Sequence, residues 1–229
     1  YHPRNMVLIA SGDLDPGRTM EAARDASEGW RAVRREPGEP VREDEPDRVA
    51  QKSVTTTMDV SRPKVALGFK DDPLRDSGRE LLRRQIHTNM ALDLMLGPAA
   101  STFSKLYEKG IIDDTFGFSY SGEPDFGFTV VGCDTAKPEA FRKAMLATFE
   151  RFREEGFSNE DVNRARRKAL GHYLRALNST ENAALALMWS HFKGVLLSDY
   201  MSEVQRVTRH DLLKRVEEHL VPERCAVSI

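Results

Sequence analysis

The chain has 229 residues, with 34 Lys and Arg against 36 Asp and Glu and a net charge of −2 at pH 7. That near-balance excludes a general polyanion binder, and no run approaches the ~18 apolar residues of a membrane-spanning helix. A chain that is 40% hydrophobic and 31% charged can bury roughly 70% of its unfolded surface without disulfides or metal.

Cys133 and Cys225 are too few for a disulfide framework or a thiolate cage, which points to a reducing cytoplasm. The first residues lack the basic and long apolar regions of a signal peptide. The sequence opens on Tyr1, so it reads as a fragment or a processed piece.

Asn5 to Ala10 is a continuous apolar run, the pattern of a buried strand. Asp15 can cap a helix that starts at Pro16 and runs to about Arg35, with Met20, Ala23, Ala26 and Trp30 on its apolar side. Residues 36–49 hold three prolines, a glycine and six acidic residues. That composition supplies no packed core and predicts a linker.

A second unit begins at Ala50. Residues 51–60 and 64–70 read as two strands. Residues 76–96 place Leu81, Leu82, Ile86, Met90 and Leu94 at helical spacing. A short helix follows over 102–109 and stops at Gly110. Segments 115–121 and 126–133 alternate and are joined by Gly122-Glu-Pro-Asp125, the signature of a hairpin. The rest is mostly helical. One helix runs from Pro138 to Glu155, with Phe141, Met145, Phe149 and Phe152 on one side. Ser158 opens the next, with Asp161 at the capping-box position and Val162, Ala165, Ala169, Tyr173 and Leu177 as its inner face. Ser179 or Thr180 caps a third and Thr208 a fourth, and Cys225 to Ile229 is a closing strand. Strands, a hairpin and helices without regular βαβ units predict an α+β fold, an antiparallel sheet covered by helices.

The layout Pro3-Arg-Asn-Met-Val-Leu-Ile9 recurs weakly as Pro222-Glu-Arg-Cys-Ala-Val-Ser-Ile229: a proline, two polar residues, then an apolar strand. On spacing alone these are two unrelated strands.

Four stretches together carry a resemblance: YHPRNMVLIASGDLDP, LYEKGIIDDTFGFSYSGEPDFGFTVVGCDT, GFSNEDVNRARRKALGHYLRALNS and VTRHDLLKRVEEHLVPERCAVSI. In order and spacing they resemble the pitrilysin/insulinase-like zinc metallopeptidases (peptidase family M16), and within these the bacterial processing-protease-like members. The resemblance implies two similar α+β halves joined by a linker. The first half carries an inverted H-x-x-E-H zinc motif, and the second closes a chamber around a peptide. It aligns 1–35 with the last strand and helix of a first half and 50–229 with a whole non-catalytic second half, so both copies of the weak repeat end a half.

The zinc motif needs two histidines one helical turn apart with a glutamate between them as general base. Among His2, His87, His172, His191, His210 and His219, the nearest approach is Arg215-Val-Glu-Glu-His219. A cation stands at its first ligand position, and His210 and His219 read as a solvated helix face. No catalytic or metal-binding residue is expected here. The resemblance implies zinc only in the missing N-terminal half, if the parent is active. No G-x-S-x-G elbow or phosphate loop occurs. Gly117, Gly127 and Gly132 belong to the hairpin, and the basic run Arg164–Lys168 alternates with apolar positions as a solvated amphipathic face does.

Second halves of the resembled family supply an Arg and, seven residues later, a Tyr that stabilise an oxyanion. In the aligned stretch Tyr107 stands at the Arg position. Lys109 and Phe116 keep the spacing without a hydroxyl, so the pair is absent. Tyr107, Lys109, Phe116 and Tyr120 are candidates to face a peptide. His172 and Arg175, three residues apart on one helix, are candidates to line the chamber. The expected partners are a zinc-motif half or paralogous subunit and an extended peptide, with neither nucleic acid nor membrane. The apolar run 5–10, lacking sheet partners, is expected to seek a second copy of the chain.

Overall fold

The computed structural model describes residues 5–28, 46, 48–72 and 78–229. Helix α1 (Pro16–Ser27) starts where Asp15 Oδ1 accepts the Arg18 N–H at 2.8 Å. Its expected extension to Arg35 and most of the expected linker lie outside the described residues.

The centre is a five-stranded sheet. It is built from β1 (Ser53–Val54), β2 (Lys64–Asp71), β3 (Gly117–Gly122), β4 (Gly127–Asp134) and β5 (Cys225–Ser228), in the order β1-β5-β2-β4-β3. Every pairing is antiparallel except β1 with β5. The expected strand over 51–60 shrinks to two residues, because the chain leaves the sheet once β5 has been met. The period of β2 is visible as alternating burial: Val65, Leu67, Phe69 and Asp71 point inward.

Helices pack against that inward face and against one another. They are α2 (Arg79–Leu96), α3 (Ser101–Glu108), α4 (Pro138–Glu155), α5 (Asn159–Ala176), α6 (Thr180–Lys193), α7 (Leu197–Arg206) and α8 (Arg209–His219). The core contains Phe69, Leu92, Met95, Phe141, Met145 and Phe149, with Phe69 edge-on to Phe149 at 5.3 Å. Ser158, Ser179 and Thr208 each accept a first-turn N–H, which satisfies donors that the helix itself cannot.

One expectation is corrected. Residues 6–10 form no strand, and Met6 and Leu8 stand 51% and 76% exposed. Apolar character alone does not make a strand: backbone groups need a partner edge, and no described strand lies beside this run. A further helix, α7, fills the stretch between the expected third and fourth helices. It starts where Asp199 Oδ2 accepts the Leu196 N–H at 2.8 Å, an acidic residue doing from inside the helix what a capping hydroxyl does from before it.

Candidate functional site

Strand β3 lies at one end of the sheet order. Glu123 N–H donates to Phe126 O at 2.8 Å to close the hairpin. The alternation of an antiparallel ladder then turns the N–H and C=O groups of Phe118, Tyr120 and Gly122 toward an edge that no described strand pairs. Beside the end of this strand lies a cavity of about 670 Å³, walled by α2, α5, α6 and α7. Ile86 and Met90 of α2 and Trp189 of α6 make much of its wall apolar. Tyr173 of α5 stacks on Tyr200 of α7 at 4.4 Å, and its hydroxyl donates to Leu197 O at 2.7 Å, fixing one side.

Behind the cavity sits a buried polar cluster. Tyr120 lines the cavity and donates its hydroxyl to Asp71 Oδ2 at 2.7 Å. The same carboxylate takes Arg215 Nη2 at 2.7 Å, and Arg215 Nε donates to Thr88 Oγ1 at 3.0 Å. His219 Nε2 lies 2.8 Å from Thr129 Oγ1, and its Nδ1 faces Asp71 Oδ1 at 3.5 Å. Burial works to raise the Asp71 carboxyl, but the charges of His219 and Arg215 and the Tyr120 hydroxyl outweigh it and hold it below the usual carboxylate range. Burial pushes His219 down to about 4, with Arg215 adding to it against Asp71, so the imidazole is neutral at pH 7. Burial, then the Asp71 charge, pushes the Tyr120 phenol up, so it stays a hydrogen-bond donor. Gly122 leaves the space this needs, since a Cβ there would stand 2.8 Å from Tyr120 Cε1.

This cluster corrects the reading of Arg215 and His219 as a solvated face. His210 is exposed, but Arg215 is buried and His219 is fully so. The reason is Asp71 at the end of β2, which supplies a carboxylate for both. It also bears on zinc: His219 Nε2 is held by Thr129 Oγ1, and the Arg215 guanidinium, bound to Asp71 and Thr88, puts a fixed cation where a first ligand would stand. Among the described residues no three His, Cys, Asp or Glu side chains form a ligand set, and the residues present do not fit a catalytic zinc.

The candidate residues fall into three places. Tyr120 and His172 both line the cavity. Arg175, almost a turn beyond His172 on α5, is exposed and outside the lining. The other three lie around α3. Tyr107 is exposed and donates to Asp114 Oδ1 at 2.9 Å. Lys109 ends the helix, where its carbonyl accepts Lys137 Nζ at 2.7 Å. Phe116 packs among Phe103, Phe118 and Phe141. Sequence reasoning did not single out Lys193, Trp189 or Asp71. Trp189 stood out only as a large aromatic and Lys193 as a charge near an apolar run, while Asp71, between Lys70 and Asp72, gave no signal.

The sequence matches the family described as the Peptidase M16 inactive domain over residues 1–169. The chain belongs to this family. It is 31% identical over 229 residues to the uncharacterized zinc protease YmfH of Bacillus subtilis (strain 168), covering 99% of this chain and 53% of that protein. A structure described as an M16-like peptidase from Alicyclobacillus acidocaldarius superposes with a TM-score of 0.86 at 22% identity, over 95% of this chain and 52% of that one. A protease from Helicobacter pylori gives 0.78 at 17% identity, over 95% and 53%. The chain thus spans about half the length of the relatives it matches. The expected M16 inactive domain and its α+β sheet covered by helices are what the match and the structure show.

Proposed function

We propose that this M16 inactive domain is the second, non-catalytic half of a two-part zinc peptidase. It walls a chamber and holds an extended peptide for a zinc-motif half. The observation that carries this reading is the open edge of β3 running beside the cavity that Tyr120 and His172 line. An unpaired edge offers a peptide main-chain hydrogen bonds, and a neighbouring cavity takes alternate side chains. The match to about half of a relative named as a zinc protease supports a partner half that brings the metal.

A second reading has its own observation. Helix α6 buries none of its residues, although Leu185, Leu187, Trp189 and Phe192 lie on it exposed. That favours an assembly module that pairs with a separate active subunit. One experiment tests both: the chain is mixed with the H-x-x-E-H half of its own parent, and with that of a paralogue, over a quenched fluorescent peptide. Chelator-sensitive cleavage only with the parent's half supports the first reading, and only with the paralogue the second. Cleavage by the chain alone overturns both.

A further inference from the structure

The mostly apolar cavity beside β3 holds two lysines, and they are placed differently. Lys168 Nζ lies 2.6 Å from Asp93 Oδ1, a closed ion pair across α5 and α2. Lys193 Nζ instead donates to Gln85 Oε1, a neutral amide, at 2.7 Å and lies 5.7 Å from the centre of the Trp189 ring. Among the described residues no carboxylate oxygen comes within ion-pair distance of it. Glu123, on the hairpin, reaches it only through space. His172, the paired Asp93 and the phenols of Tyr120, Tyr173 and Tyr200 are the other titratable groups in the wall.

A half-buried ammonium facing an amide and a ring has lost water without gaining a counter-charge, which is costly. Burial lowers the Lys193 pKa despite Glu123, the sign expected of such a group. An incoming anion would reverse that, and it would make a charge-assisted bond stronger than the one to Gln85. The apolar wall of Ile86, Met90 and Trp189 asks in turn for an apolar stem behind the charge.

We infer that the cavity is a subsite for a peptide carboxylate on an aliphatic stem, with Lys193 as the residue that selects it. This rests on the peptide-holding reading above and names the class of peptide it prefers: one that places an acidic group next to the β3 edge. The carboxylate can come from a glutamate or aspartate side chain or from a peptide C-terminus, since all three offer the same two oxygens.

The test is fluorescence anisotropy on the 229-residue chain with labelled extended peptides carrying a central glutamate or glutamine, each with a free or an amidated C-terminus. The glutamate peptide is expected to bind about tenfold tighter than its glutamine twin, the factor of one charge-assisted bond over a neutral one. Lys193→Gln removes that preference, while Lys168→Gln, whose charge is already paired, keeps most of it. If amidation rather than the central residue sets the affinity, the subsite reads a C-terminus and the inference stands for that source. If peptides bind but the preference survives Lys193→Gln, the subsite is wrong and the peptide-holding reading stands. If no peptide binds up to about 1 mM, both fall. Circular dichroism on both variants shows whether the fold is intact.

Discussion

Helices α2 and α6 are both rich in apolar residues and meet opposite fates. α2 buries Leu81, Leu82, Ile86, Met90, Leu92 and Met95 among others, because it lies against β3 with α5, α7 and α8 around it. α6, apolar at every position from Ala183 through Trp189, buries nothing and packs mainly on α7. A helix apolar around most of its circumference is at home in a core. The contrast teaches that in this chain hydrophobicity states a need for a partner, and layer order decides whether it is met.

The comparison can be broken from its rigid side. Arg215→Ala takes the closer of two cations from the buried Asp71 carboxylate, leaving Arg84 at 3.7 Å, and is expected to cost about 3 kcal/mol, read as a large drop in urea midpoint. Loss of under about 1 kcal/mol would mean that the buried cluster is solvated and the rigid side less dry than its burial indicates.

Acid is the second lever. His219 accepts a proton near pH 4 in the fold and near 6.5 when unfolded. Between those values the unfolded chain binds more protons, so stability is full above 6.5 and is lost as pH falls through about 4. The expected loss is about 3 kcal/mol, with Asp71, whose folded pKa is also lowered, adding to it at lower pH. Thermal melts from pH 7 to 4 should show it, and His219→Gln should flatten the slope. An unchanged slope in that variant would remove His219 from the account.

Gly132→Ala is a smaller probe. A Cβ there would stand 2.7 Å from Val65 O, backbone that cannot step aside, so a cost of about 1–3 kcal/mol is expected in the same melts.

The outer side should barely respond. Trp189→Ala, on a side chain 53% exposed, is expected to shift stability by less than about 1 kcal/mol. Deleting residues 1–12, which removes the exposed Met6 and Leu8, should leave the melt alone and lower the mass seen by light scattering if that run pairs copies of the chain. An unchanged mass would mean that it does not.

What the sequence made legible was local. Helix α4 has its expected limits because Pro138 sits at its first turn and Gly156 takes a positive φ at its end. The hairpin of β3 and β4 followed from turn residues between two alternating runs. What stayed hidden was joined over distance. Tyr120 meets Asp71 across 49 positions and Arg215 meets it across 144, and no spacing rule spans such gaps. Asp71 looked like the polar end of a strand, and Arg215 and His219 like a wet face, because each draws its burial from the others. The cavity is hidden for the same reason: its wall comes from four helices and a strand end. His172 was reached through helical spacing, whereas Lys193 becomes visible only when Gln85 and Trp189 stand beside it.

The place of β5 bears on how this domain comes into being. Of the described strands it is the last in chain order, yet it lies inside the sheet, between β1 and β2. While residues 72–224 leave the ribosome, β2 has β4 on one side and nothing on the other. Val65, Leu67 and Phe69, all buried once folding is done, wait beside that gap. An open apolar edge invites foreign strands. The nascent domain therefore passes through a vulnerable interval that ends only when Cys225–Ser228 docks. Premature chain termination just short of those residues would yield a species stuck in it, a natural client for chaperones rather than a slightly shorter domain.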